Sequence, residues 1–239
     1  MFSGVPLLIS GNLVQQVLIK RLRRLLGFSS LFYALLFLTA CGHTPVTLTL
    51  FEAAGIGKSI DSIKLNPKLR YLRVTVGTER VALMVLGYSE PTPEGTIETW
   101  YSSEGEVLRL QNGRVLSTAG MAIDWRATQY KGLLPWPDMV RRMSSEFERQ
   151  TDQMPGYKFG IAEKVSVAFV PAPTNANLVG IAPDNLRWYE ETVRGTSHGL
   201  PSARYGLRLG TSGPVVVYGQ QCFSNDFCIS WQPWPATPQ

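Results

Sequence analysis

Residues 105–118 read Gly-Glu-Val-Leu-Arg-Leu-Gln-Asn-Gly-Arg-Val-Leu-Ser-Thr. Asn112-Gly113 tolerates positive φ at both central positions, which makes it the strongest short hairpin signal in the chain. Val107, Leu108 and Leu110 precede the turn and Val115 and Leu116 follow it, so two short strands flank it. Residues 96–102 (TIETWYS) form another strand-like run, separated by Ser103-Glu104-Gly105. The reading is a three-stranded antiparallel meander over residues 97–119.

The same texture extends in both directions. LRYLRVTVG (69–77) and ERVALMVLGY (79–88) are rich in Val, Leu and Tyr and meet at Gly77-Thr78-Glu79, and EPTPEG (90–95) reads as a loop. Downstream, strand-like runs recur at KVSVAFVP (164–171), LRWYEETV (186–193), ARYGLRLG (203–210), GPVVVYGQQ (213–221) and FCISW (227–231). Between them Pro135-Trp136-Pro137-Asp138 leads into MVRRMSSEFERQ, where Trp136, Met139 or Val140, Met143 and Phe147 fall at helical spacing. Asp138 suits a helix's first turn, and Pro155-Gly156 ends the element. The expected architecture is mainly β: antiparallel meanders forming a curled sheet, sandwich or open barrel, with one covering helix near 136–150. Residues 51–231 make a single domain, followed by a Pro-rich flexible tail, 232–239.

With 44% hydrophobic and 17% charged residues in 239, the chain is neither disordered, collagen-like nor a multi-span membrane protein. The formal charge of +5 is unevenly placed: Lys20, Arg21, Arg23 and Arg24 precede residue 41, and no acid does. The remaining 19 bases face 18 acids, so the body lacks the basic footprint of a nucleic-acid binder. After the arginines comes LLGFSSLFYALLFL (25–38), an uncharged run of 14 residues, short for a membrane span but suited to a signal-peptide core. Leu38-Thr39-Ala40-Cys41 then resembles the bacterial lipobox, which implies cleavage before Cys41 and acylation of its sulfur and new amino terminus. Three acyl chains, palmitate among them, exceed what stable anchoring requires. The competing reading is an uncleaved anchor helix. Gly42, where an aspartate implies inner-membrane retention, implies the outer membrane on its periplasmic side. Residues 1–40 are thus a signal peptide, with 1–19 an over-extension ahead of a start near Lys20, and 41–50 a lipidated tether.

Two further cysteines, Cys222 and Cys228, enclose five residues. In an oxidising periplasm a disulfide is the default. Free thiols and a metal site are the alternatives, but the only histidines available as further ligands are His43, on the tether, and His198.

The run from Glu98 to Trp125 (ETWYSSEGEVLRLQNGRVLSTAGMAIDW) resembles the YjbF/GfcB family, lipoproteins associated with group 4 capsule and exopolysaccharide. The features shared are the lipobox, Tyr71 opening a strand, a strand containing Trp100, Asn-Gly-Arg at 112–114, and Gly120 followed by Asp124. Met121 and Trp125 stand where leucines are expected. The resemblance covers residues 41–220, is strongest over 70–125, and brings no catalytic residues with it. It implies a lipoprotein that supports production or export of a surface polysaccharide beside other envelope secretion proteins.

Other patterns are weaker. Glu52 to Ser59 (EAAGIGKS) resembles the end of a phosphate-binding loop but has Glu52 where the first glycine belongs, so no nucleotide is expected. Ser197-His198 lies in a loop-like segment without an identifiable orienting acid. Glu98, Asp124, Asp184, Glu190 and Glu191 could supply a carboxylate pair for a glycan hydrolase or lyase. Trp100, Tyr101, Trp125 and Trp188, with Tyr189, could stack on sugar rings or fill the core. The sequence reading is non-enzymatic, without metal or cofactor, and acts by binding glycan or protein. A structural assembly factor for a secretion complex is the remaining alternative. Lipid anchoring is testable by intact mass: the mature protein should begin at an acylated Cys41, and a species retaining residues 1–40 would refute the assignment.

Overall fold

Antiparallel pairing joins almost every strand to its chain neighbour, as short hairpin turns dictate. The computed structural model describes residues 60, 63–78, 80–194 and 199–236. Cys41, the signal and tether segments, residues 52–59 and Ser197-His198 lie outside them. Twelve strands follow in chain order: β1 (Tyr71–Val76), β2 (Arg80–Thr92), β3 (Gly95–Tyr101), β4 (Val107–Gln111), β5 (Arg114–Ala119), β6 (Asp124–Lys131), β7 (Ser144–Met154), β8 (Lys158–Val170), β9 (Arg187–Arg194), β10 (Ala203–Gly210), β11 (Gly213–Cys222) and β12 (Cys228–Trp234). One α-helix, α1 (Trp136–Arg142), lies between β6 and β7.

All twelve strands form one sheet, in the order β5-β4-β3-β2-β1-β12-β11-β10-β9-β8-β7-β6. The β1–β12 pair, with Val74 opposite Trp231, joins the two ends of the domain. The sheet's edges, β5 and β6, are consecutive in the chain, so it curls into a nearly closed barrel. Side chains hold this seam. Thr118 Oγ1 donates to Asp124 Oδ1 and accepts from the Trp125 N–H, both at 3.0 Å. Asp124 also accepts the Gly120 and Met121 N–H groups. Further along, the Tyr130 hydroxyl donates to the Val115 carbonyl at 2.6 Å.

The expected meander is β3-β4-β5, and Asn112 (φ 49°) and Gly113 (φ 81°) adopt the left-handed conformations its turn requires. Cys222 and Cys228 are disulfide-bonded and sit directly opposite each other on β11 and β12. Several boundaries differ from the sequence reading, among them the start of β8 at Lys158 rather than 164 and the added strand β6. The helix stops at Arg142, because Met143 turns left-handed (φ 66°) and Ser144 already pairs with Ala168 of β8. β2 runs through the expected loop to Thr92. Pro91 fits there because β2 pairs with β3 alone beyond Val85, leaving one side that needs no donor. β12 continues to Trp234, paired with Tyr71.

The inner face is divided. Leu72, Val74, Met84, Trp100, Leu108, Leu110 and Trp231 make one wall apolar. On the opposite wall Thr128, Tyr130, Arg149, Thr151 and Glu163 stand among Phe147, Val165 and Val167, with Thr128 opposite Thr151 and Tyr130 opposite Arg149. Outside, residues 171–186 pack Leu178 and Ile181 over Leu186, Trp188 and Tyr218. Ile60, Leu65 and Leu69 cover Tyr71, Leu83 and Val85.

Gly113 faces a double constraint. Its φ is 81°, and a Cβ there would lie 2.5 Å from Val216 Cβ on β11. Gly113→Ala should therefore cost about 2–4 kcal/mol, the left-handed penalty plus overpacking. Gly105→Ala (φ 93°, open space) should cost only the conformational part, about 1–2 kcal/mol. Denaturant midpoints should rank the two variants in that order; equal losses would remove the packing contribution.

Candidate functional site

At one end of the barrel, β1 begins, β12 ends, and the β2–β3, β4–β5 and β10–β11 turns gather with the start of α1. The helix is only seven residues long, with Pro135 before it, Asp138 in its first turn and Arg141 and Arg142 in its last. Its apolar residues Trp136 and Met139 point into the barrel and are buried. Trp136 Nε1 donates to the Asn112 carbonyl at 2.8 Å, tying helix to hairpin turn. The indole packs near Tyr189 and Tyr205, with centroids 5.8 and 5.4 Å away.

Arg114, first residue of β5, fixes this arrangement. Its guanidinium carbon lies 3.5 Å from the Trp136 ring centroid, and its Nε donates to Glu191 Oε1 on β9 at 2.7 Å. Both partners are almost fully buried, at 3% and 2% side-chain exposure. A cation over a desolvated indole contributes about 2 kcal/mol. Removing one partner of such an ion pair costs about 3–5 kcal/mol, because it strands the other charge. A second pair, Arg149–Glu163 at 2.6 Å, lies on the polar wall, with Arg149 4.7 Å from the Trp125 ring centroid.

Two cavities share Trp136 as a lining residue. One, of 820 Å³, is lined by Trp100, Leu110, Val216, Trp231 and Trp234, with Arg70, Glu94, Glu98 and Asn112 also in its wall. The other, of 490 Å³, is lined by Arg114, Thr128, Tyr130, Gln111 and the 132–135 loop. Both fall in the size range of small-ligand sites, roughly 300–1,000 Å³. Four buried polar atoms on their lining residues have no hydrogen-bond partner: Trp100 Nε1, Trp231 Nε1, Arg114 Nη2 and Thr128 Oγ1. Each such atom costs about 1–3 kcal/mol.

The aromatic residues singled out in sequence do not converge. Trp100 faces the interior and lines the larger cavity. Tyr101 follows it on the outer face, 38% exposed. Trp125 is buried against Phe223, centroids 5.0 Å apart. Trp188 is buried on the outer face against Tyr218, with its Nε1 donating to the Pro183 carbonyl. Trp136 and Trp231, which join Trp100 at the mouth, carry no local pattern that marks them. The carboxylates are engaged: Glu98 by Arg70, Glu190 by Arg204, Glu191 by Arg114, and Asp124 by the seam. Asp184 lies in a short 3-10 turn. Among the described residues no group of three His, Cys, Asp or Glu is placed to hold a metal ion, and no helix is long and apolar enough to cross a membrane.

Two phenols on the inner wall, Tyr130 and Tyr205, have surroundings that hold them protonated. Burial pushes Tyr130 well above its ordinary value, Glu191 adds to the shift, and Arg149 and Arg114 oppose it. Tyr205 is raised for the same first reason, with Glu191 again adding. An unfolded phenol loses its proton near pH 10, while these two keep theirs in the folded state. Their contribution to stability is therefore complete below about pH 10 and declines as the pH rises further. Denaturant unfolding across an alkaline pH series should show that decline, with tyrosinate absorbance appearing as the protein unfolds. Full tyrosine titration near pH 10 in the folded protein would contradict it.

Residues 46–206 match the family described as "Group 4 capsule polysaccharide lipoprotein gfcB, YjbF". The crystal structure of the hypothetical lipoprotein YmcC from Escherichia coli K12 shares the fold, with a TM-score of 0.58 and 18% sequence identity. That likeness covers 82% of this chain and 100% of YmcC. No curated protein sequence matches significantly. The match spans the meander, the seam, α1 and most of the polar wall, and on that extent the chain belongs to the YjbF family of capsule-polysaccharide lipoproteins.

Proposed function

We propose that this protein is held in the outer membrane by an acylated Cys41, faces the periplasm, and supports production or export of capsule or exopolysaccharide by binding rather than catalysis. The family supports the polysaccharide connection, and Gly42 after the lipobox cysteine supports the outer-membrane address. The observation that carries the binding role is the barrel mouth, where a cavity of 820 Å³ is walled by Trp100, Trp136, Trp231 and Trp234, with Arg70, Glu94, Glu98 and Asn112 among its polar lining. Glycoside hydrolysis needs an acid and a second carboxylate on either side of the scissile bond, ~5–9.5 Å apart. Here Glu98, Glu190 and Glu191 each hold an arginine, and Asp124 is committed to the β5–β6 seam.

A second reading, recruitment of a secretion protein, draws support from the β7–β8 hairpin. At its tip Tyr157 and Phe159 stand 74% and 65% exposed.

Deleting the gene should lower surface polysaccharide or shorten its chains. Wild-type protein should restore the phenotype and a Cys41→Ser variant should not. Unchanged amount and chain length after deletion would overturn the proposal, and new reducing ends released from isolated polysaccharide would replace it with a hydrolase.

A further inference from the structure

We infer that the mouth end of the barrel rests on an anionic phospholipid surface, with Leu209, Val215, Phe169 and Met143 entering the interface and Arg142, Arg187 and Arg208 at the level of the headgroup phosphates. The inference goes beyond the binding role proposed above and rests on the membrane address proposed with it.

The first observation is where large apolar side chains stand uncovered. Leu209 and Val215, 52% and 56% exposed, flank the β10–β11 turn. Phe169, near the end of β8, and Met143, just after α1, are exposed as well, and the Phe169 N–H donates to the Met143 carbonyl at 2.8 Å. Strands β11, β10, β9 and β8 are successive neighbours in the sheet. At the mouth β11 and β9 begin and β10 and β8 end, so the four side chains follow one arc of the rim. A single exposed apolar residue needs no explanation, whereas several along one rim mark a contact surface.

The second observation is charge. Arg142 ends α1, Arg187 opens β9 with its guanidinium 5.1 Å from the Phe169 ring centroid, and Arg208 lies opposite Val215. Bases thus alternate with the apolar groups along the arc. Elsewhere at this end Arg70, Lys131 and Arg141 are ion-paired. The remaining exposed charges favour bases: Lys64, Lys68 and the three arginines of the arc face Glu90, Glu94 and Asp184. At the far end Glu104 and Glu106 outnumber Arg80, while Asp152 and Asp226 offset Arg126 and Lys158. Interleaved apolar and basic groups match acyl chains beneath anionic headgroups.

The third observation is where the anchor joins. Ile60, Leu65 and Leu69 pack over Tyr71 at the start of β1, and Leu65 and Pro67 also line the cavity at the mouth. The chain leading back to Cys41 therefore leaves the body beside this end. An acylated Cys41 gives the bilayer a higher effective concentration at the rim than any partner free in solution. In this orientation the 820 Å³ cavity opens at the membrane surface, and the β7–β8 tip with Tyr157 and Phe159 points into the periplasm.

The test uses the full chain reconstituted into vesicles of phosphatidylethanolamine with phosphatidylglycerol and, separately, of phosphatidylcholine alone. A nitroxide is attached at Leu209→Cys, at Val215→Cys or, as the far-end control, at Phe159→Cys, with unsubstituted protein as the blank. On the anionic vesicles the labels at 209 and 215 should be reached by oxygen dissolved in lipid and shielded from a water-soluble nickel chelate. The label at 159 should show the reverse. Lipid contact should fall on phosphatidylcholine and at high salt. Arg142→Gln and Arg208→Gln should each lower the ratio of docked to undocked body about fivefold. An unchanged near-ultraviolet circular dichroism spectrum identifies variants that keep the fold, and either arginine variant suffices.

Labels at 209 and 215 left in water, immersion of the label at 159 instead, or contact indifferent to vesicle charge would overturn the inference. So would shielding that appears only when isolated outer-membrane proteins are added, which would make the rim a protein-docking surface. If intact mass shows an acylated Cys41 but the rim labels stay in water, the anchor stands and the resting face is wrong. If the labels enter lipid while no acyl chain is found, the resting face stands and the anchor is wrong.

Discussion

Arg114 is where the mouth of this barrel is decided. It opens the edge strand β5, yet its charge is balanced by Glu191 on β9, and its guanidinium lies against Trp136 on α1. One side chain therefore ties the meander, the far wall and the covering helix together. The interaction is strict because it is dry: neither charge can find water if the other moves, so the pair fixes a relative position more than it adds net stability. Trp136 is held between that cation, the Asn112 carbonyl and the Tyr189 and Tyr205 rings, and so it remains a wall common to two cavities.

The opposite end is closed by different means. Asp124 gathers Thr118 and two backbone N–H groups and stitches β5 to β6, where the sheet has no ladder. Nearby, the Cys222–Cys228 bridge pins the β11–β12 hairpin, and Phe223 beside it packs edge-on against Trp125. A single sheet wrapped on itself has no second layer to bury its edges against. A carboxylate seam and a disulfide hairpin supply that closure, which leaves the mouth free to be lined by groups that do not satisfy one another.

The apolar strands were legible in the sequence because one face of each is inward and hydrophobic, as in VLRLQ around its Asn-Gly turn. β6 (DWRATQYK) and β7 (SSEFERQTDQM) were not, since their inward residues include Thr128, Arg149 and Thr151. With polar residues on both faces the alternation vanishes, and Glu, Arg and Gln with Phe147 imitate a helix. Pairing with β6 and β8 overrides that preference. The same polar wall explains why the site was only partly visible. Trp100 stood out within a recognisable strand, whereas Arg114 looked like the third residue of a turn motif. Its role depends on Glu191, 77 positions away.

A buried charge network and a cavity walled by aromatic rings place opposite demands on one interior. The network needs exclusion of water, and a binding site needs access. The fold places them on different walls. Arg149, Glu163 and the Tyr130 hydroxyl lie along β6–β8, where Phe147, Val165 and Val167 keep the surroundings apolar. Trp100 and Trp231 lie on the other wall, near the ends of strands that terminate at the mouth. Arg114 belongs to both, ion-paired to Glu191 through its Nε and lining the smaller cavity with Thr128 and Tyr130. A neutral isostere there would spare the desolvation of a charge but would lose the lock on Trp136. The charge is therefore better understood as a positioning device for the mouth than as a source of stability for the barrel.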